Sequence, residues 1–177
     1  MKRILVLVSL VVLVATGVSY GAGSGKVGFV DIGAVQARSR WGTMIRDEIK
    51  RETDKAKLTI EPKLQAFKEK REEFEKKRAV LDEKARTKQQ EDLGKMQADA
   101  QRLIEENQRH MGQLQEQLIP PFRQKIMDVA QQIARKDSYD LVIDKGVLLY
   151  AGDKDDLTSR VISELDKVTP STLPKGP

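Results

Sequence analysis

From about Thr43 the chain repeats apolar residues at helical spacing, with little else to bury: Ile45, Ile49, Ala56, Ile60, Leu64, Phe67, Phe74 and Leu81. The later steps are of three and four, with Arg71 and Arg78 occupying two seam positions, which gives a heptad-like stripe with charged gaps. A second stripe runs through Leu93, Met96, Ala100, Leu103, Asn107, Met111, Leu114 and Leu118, and continues past Pro120–Pro121 at Phe122, Ile126, Val129 and Ile133. Between the two, Asp82 can cap a new helix with Glu83 in its first turn. The pattern predicts an antiparallel helical hairpin over 43–136 with its tip near 82–84, each arm about 45 residues and roughly 65–70 Å long. A single continuous helix would hold the flanking segments roughly 150 Å apart. Pro62, Pro120–Pro121, Gly94 and Gly112 are expected to kink or weaken the arms.

The flanks read differently. "VGFVD" at 27–31 predicts a short strand, followed by one or two helical turns over Ile32 to Arg38 and a break at Trp41-Gly42. Trp41 is expected to pack where the arm meets its base. After Arg135, Leu141-Val142-Ile143 reads as a strand, Lys145-Gly146 as a two-residue turn with a positive-φ glycine, and Val147 to Ala151 as the returning strand of a β-hairpin. Asp156 can cap a last helix over Leu157 to Lys167, and a disordered tail is expected over 170–177. The expected fold class is α+β: a long helical arm on a small β-base, over 23–42 and 137–169, with three strands per chain. So little core for such long arms, together with exposed strand edges, predicts oligomerisation of the base through Val27, Phe29, Val30, Leu141, Val142, Ile143, Val147 and Leu149.

The first residues bear on compartment. Lys2 and Arg3 precede an apolar run from Ile4 to Val14 and then small residues, the layout of a cleaved signal peptide over 1–22. The run is short for a membrane span of roughly 20 residues. The signal has no cysteine near its end for a bacterial lipid anchor, and the whole chain has none, so an exported product must hold itself by packing or oligomerisation. In a Gram-negative cell the destination is the periplasm, where an ATP-driven mechanism is not expected. The pI near 9.3 suits acidic partners, although removing Lys2 and Arg3 leaves 30 basic against 27 acidic residues.

"VGFVD" at 27–31, the charged helices, "YDLVID" at 139–144, "VLLYA" at 147–151 and "DLTSRVI" at 156–162 together resemble the Skp/OmpH family of periplasmic chaperones, from Val27 to about Leu165. The resemblance implies a homotrimer whose strands combine into a central barrel, with three helical hairpins around a cavity that holds unfolded outer-membrane proteins. It implies no nucleotide and no cofactor.

Chemistry-bearing motifs are few. "GAGSGKVG" at 21–28 lacks the Ser or Thr that a phosphate loop needs after Gly-Lys, and a strand follows it. His110 is the only histidine; with Glu106 one turn before it, it makes at most two weak metal ligands. Neither a catalytic set nor a metal site is expected. At the tip, Lys76, Lys77, Arg78, Lys84, Arg86 and Lys88 outnumber Asp82 and Glu83, a pattern that attracts acidic clients, an anionic membrane surface or lipopolysaccharide. Leu58, Val80 and Ile104 sit off the stripe and are the candidate apolar client contacts, whereas Phe67, Phe74, Met96 and Met111 are expected in the seam. Two other classes fit parts of the pattern. Nucleic-acid binding is opposed by the export signal and the interleaved acids. A periplasmic coiled-coil spacer remains the structural alternative.

Overall fold

The computed structural model describes residues 25–173; the signal-like segment lies outside them. Strand β1 (Val27–Val30) leads into a short helix α1 (Ile32–Arg38), then the two long helices α2 (Arg40–Lys77) and α3 (Glu83–Lys136), strand β2 (Leu141–Asp144) and helix α4 (Thr158–Lys167). Asp31 starts α1 by accepting the Ala34 N–H at 2.7 Å. Ser39 ends α1 and starts α2, accepting the Gly42 N–H. The break therefore falls at Ser39, not at Trp41-Gly42, which lie in the first turn of α2. Gly42 is needed there because a Cβ would stand 2.0 Å from the Gln36 carbonyl oxygen. Asp166 on α4 also accepts the Arg40 N–H at 2.8 Å, so α4 helps to cap the outgoing arm.

Asp82 caps α3 through the Ala85 N–H at 2.8 Å, and the chain reverses between Lys77 and Glu83. With 38 and 54 residues, the helices run about 57 and 81 Å. Both continue through their prolines. Pro62, Pro120 and Pro121 are all exposed, so the carbonyls that lose a donor can be met by water. The longer α3 returns past the root of α2 and enters the base.

That return sets the register of the sheet. β1 and β2 pair in parallel, Val27 with Leu141 through Val30 with Asp144, which requires a long crossover; here the whole arm is the crossover. Phe29 accepts the Leu157 N–H at 2.8 Å, and Asp31 donates to Thr158 Oγ1, tying α4 to the strand. The core lies in the base and arm root: Val30, Val35, Ile45, Leu114, Leu118, Phe122, Ile126, Val129, Ile133, Leu157, Val161 and Leu165. Each such side chain contributes about 1.5–3 kcal/mol relative to exposure. Trp41 packs on Phe122, ring centroids 5.6 Å apart. The Arg160 guanidinium pairs with Asp137 and holds its carboxyl below the usual range.

Two expectations at the C-terminal end fail. The β-hairpin is absent among the described residues. Asp144 Oδ1 takes the Gly146 N–H and the chain turns in a 3-10 helix, Lys145–Val147, in which no glycine has positive φ. Leu148 to Ala151, beyond that turn, has no strand partner among the described residues. Leu173 packs against the core, so the chain from Pro170 to Leu173 is anchored where a free tail was expected; 174–177 lie outside the described residues.

Gly42→Ala should destabilise the protein by about 1–3 kcal/mol, since backbone rather than a flexible side chain must yield. Gly94→Ala, where an added Cβ meets nothing within 4 Å, should instead stabilise by about 0.5–1 kcal/mol. Urea unfolding of both variants checks the pair.

Candidate functional site

The two surfaces that could do work are the arm and the outer side of the base. Along the arm the helices carry little core. Between Ile45 and Phe74, α2 has no buried residue, and between Ala100 and Leu114, α3 has none. Phe74 and Ala100 are buried near the tip, while Phe67, Met96 and Met111 are half-buried on the seam. Arg71 and Arg78, at seam positions by spacing, remain exposed; Arg71 lies over the Phe67 ring, 5.7 Å from its centroid, shielding the apolar face with its stem.

The off-stripe residues separate. Leu58 is 78% exposed and Val80 85% exposed; Ile104 is half-buried and offers less free surface. Val80 stands at the apex, in the turn where its N–H donates to the Lys77 carbonyl. Around it Lys76, Lys77, Arg78, Lys84 and Lys88 are exposed and Arg86 is half-exposed. Their charge is partly matched: Lys77 meets Glu73 at 2.7 Å and Arg86 meets Glu83 at 3.3 Å. Lys77, aided by Lys70, holds Glu73 down to about 2. Lys76, Lys84 and Lys88 have no ion-pair partner among the described residues. The tip thus offers unpaired ammonium groups around a protruding valine.

At the base, the residues read as an oligomerisation set divide into two kinds. Phe29 and Val30 are buried within the chain, and Val142 and Ile143 are half-buried. Val27 and Leu141 are exposed; Val147 is 74% exposed and Leu149 is fully exposed. Tyr150, which the sequence reading left out, is exposed beside them. On the same base, a groove of about 280 Å³ runs between β2 and α3, lined by Val30, Ile126, Ala130, Leu141 and Ile143 among others. The segment Val147 to Tyr150 and this groove are both apolar and both uncovered in the single chain.

His110 was paired in sequence only with Glu106 on its own helix. Its nearer partner is Glu52 on the facing arm, Nε2 to Oε2 3.4 Å. Only a folded-back arm reveals that contact, because the two residues are far apart in sequence. No group of metal-ligating side chains suitable for an ion occurs among the described residues, and no helix among them is long and apolar enough to cross a membrane.

The family model for "Outer membrane protein (OmpH-like)" matches residues 26–165. Among solved structures, a candidate outer membrane chaperone (OmpH-like) from Caulobacter crescentus is similar, with a TM-score of 0.70 at 15% identity, covering 89% of this chain and 94% of that chain. At that identity the likeness is one of fold. None of the curated proteins matches the chain.

Truncating the tip anchor tests how locally the arm is held. Buried Phe→Ala changes cost about 3–5 kcal/mol, but Phe74 lies outside the base core. Phe74→Ala should therefore speed amide exchange over 67–100 about tenfold or more while leaving exchange over 114–133 unchanged. Equal acceleration in both segments would show that arm and base open as one unit.

Proposed function

The chain belongs to the OmpH-like outer membrane protein family, and from that premise we propose that it is an ATP-independent periplasmic holdase, which binds unfolded outer-membrane proteins between its arms and keeps them from aggregating. The reading takes residues 1–22 as a signal peptide removed on export and requires no cofactor and no catalysis. The observation that carries it is the separation of core from surface. The buried cluster belongs to the base and arm root, while most of the arm beyond it has helical order with little packing of its own. Such a surface presents scattered apolar and charged groups without a fixed shape, which suits a partner that has no fixed shape either.

Assembly is part of the proposal. Val147 to Tyr150 is apolar, exposed except at the half-buried Leu148, and carries the strand-forming Val147 and Tyr150. The reading has it become the third strand only when it adds to a neighbouring copy, in a homotrimer closed around a small barrel. A single chain has no partner to offer it. Three arms on one base would make weak contacts multivalent. Client binding would then lower the free unfolded concentration by mass action, with no input of energy. Leu58, Val80 and Ile104 would supply apolar contacts. Lys76, Lys77, Arg78, Lys84, Arg86 and Lys88 would draw in acidic clients and could also rest on an anionic membrane surface or lipopolysaccharide.

Diluting a denatured outer-membrane barrel protein into buffer with the mature chain tests the proposal directly. Aggregation, followed by light scattering, should be suppressed at stoichiometric chaperone without ATP; undiminished scattering would overturn the reading. Replacing residues 62–107 by a short Gly-Ser turn should abolish suppression while leaving the base assembled. Normal holding by that variant would remove the arms from the mechanism.

A further inference from the structure

Midway along the arm the seam between α2 and α3 changes character. A groove of about 270 Å³ opens there, lined by Glu52, Lys55 and Thr59 of α2 and by Glu106, Asn107 and His110 of α3, with the half-buried seam residues Ala56, Ile60 and Leu103. This lies in the interval where neither helix has a buried residue, and the same interval contains Pro62 and Gly112. Packing that would resist bending is therefore weakest here. The one charged contact joining α2 to α3 among the described residues spans this gap: His110 Nε2 to Glu52 Oε2, 3.4 Å. Every other ion pair along the arms lies within one helix.

We propose that His110 and Glu52 form a proton-operated latch between the two helices of the arm. At 3.4 Å the contact is a weak one. Uptake of a proton from solvent makes both ring nitrogens donors and adds a charge, which turns the contact into a charge-assisted hydrogen bond. The charged groups lining the groove with His110 are Glu52 and Lys55 of α2 and Glu106 of its own helix, and Glu106 is itself paired with Arg102 at 3.0 Å. Lys55 occupies the other oxygen of Glu52 at 2.6 Å, with Arg51 at 3.6 Å on that same oxygen, so Oε2 remains for His110. Lys55, opposed by burial and aided by His110, holds the Glu52 carboxyl below its ordinary range, keeping it charged when the imidazole titrates.

Histidine changes charge between roughly pH 5 and 8. The latch is closed on the acid side of that window and released as pH rises through it, because the proton it needs is on the imidazole. Releasing it frees the unpacked interval to flex; closing it aligns the helices beyond it. That an acid-stiffened arm would narrow a client cavity rests on the holdase reading, whereas the latch itself does not.

The chain has no cysteine, so spin labels can be placed cleanly at two exposed positions beyond the latch, Lys68→Cys and Gln97→Cys. Pulsed electron–electron resonance on the otherwise unaltered mature protein, without client, reads the spread of distances between them. The distribution should narrow from about pH 8 to about pH 5.5, and His110→Gln and Glu52→Gln should each abolish the narrowing while helical dichroism is unchanged. A wild-type distribution that ignores pH, or narrowing retained in both variants, would overturn the latch. Because no client is present, either result is independent of whether the protein suppresses aggregation.

Discussion

Two four-residue strands whose ends lie more than a hundred residues apart can pair in parallel only if the chain between them comes back to its starting point. The return of α3 is the constraint on which everything else depends. Its buried stripe, Leu114, Leu118, Phe122, Ile126, Val129 and Ile133, serves two partners in succession. Toward the arm it packs on the root of α2; toward the base it meets α4 and β2. The two ends of the excursion are also fastened directly: the Lys26 N–H donates to Asp140 at 2.7 Å, 114 residues away, and Lys26 Nζ lies 3.9 Å over the Tyr139 ring. Losing the return would leave each strand as an isolated edge, marginal in water.

The same arrangement explains why the arms differ from the base in kind. Stability follows buried apolar area, and nearly all of that area lies below Leu114 and around α4. Beyond it, the helices depend on capping at Asp82, on local pairs such as Lys77–Glu73, and on a few seam contacts around Phe74 and Ala100. Exposed pairs of that sort contribute about 0–1 kcal/mol each. A firm platform carrying loosely packed, charged levers is the physical basis for the proposed function, since levers with little core of their own can adapt to an unfolded partner while the platform keeps them together.

Much of this was legible in sequence because it depends on short-range periodicity. The two stripes, except for Leu64, which is exposed, the reversal at Asp82 and the position of Trp41 follow from spacing and capping chemistry. What escaped depends on tertiary neighbours. The helix break belongs to Ser39 because Gly42 must pass the Gln36 carbonyl, a clash invisible without both helices. Val147 to Ala151 has strand composition but no strand, because composition cannot supply a pairing partner. Among the candidate contacts, Leu58 and Val80 are as free as their off-stripe positions implied, whereas Ile104 is half covered. The pairing of His110 with Glu52 needed the folded arm, since sequence proximity favoured Glu106.

The proposed assembly has the largely exposed apolar segment at Val147 to Tyr150 and the open groove between β2 and α3 covered by further copies. Measuring the solution mass of the mature protein by light scattering on a sizing column, across a dilution series, tests this most directly. The account expects a stable oligomer with three times the chain mass. A monomer that stays folded and soluble at every concentration would contradict it.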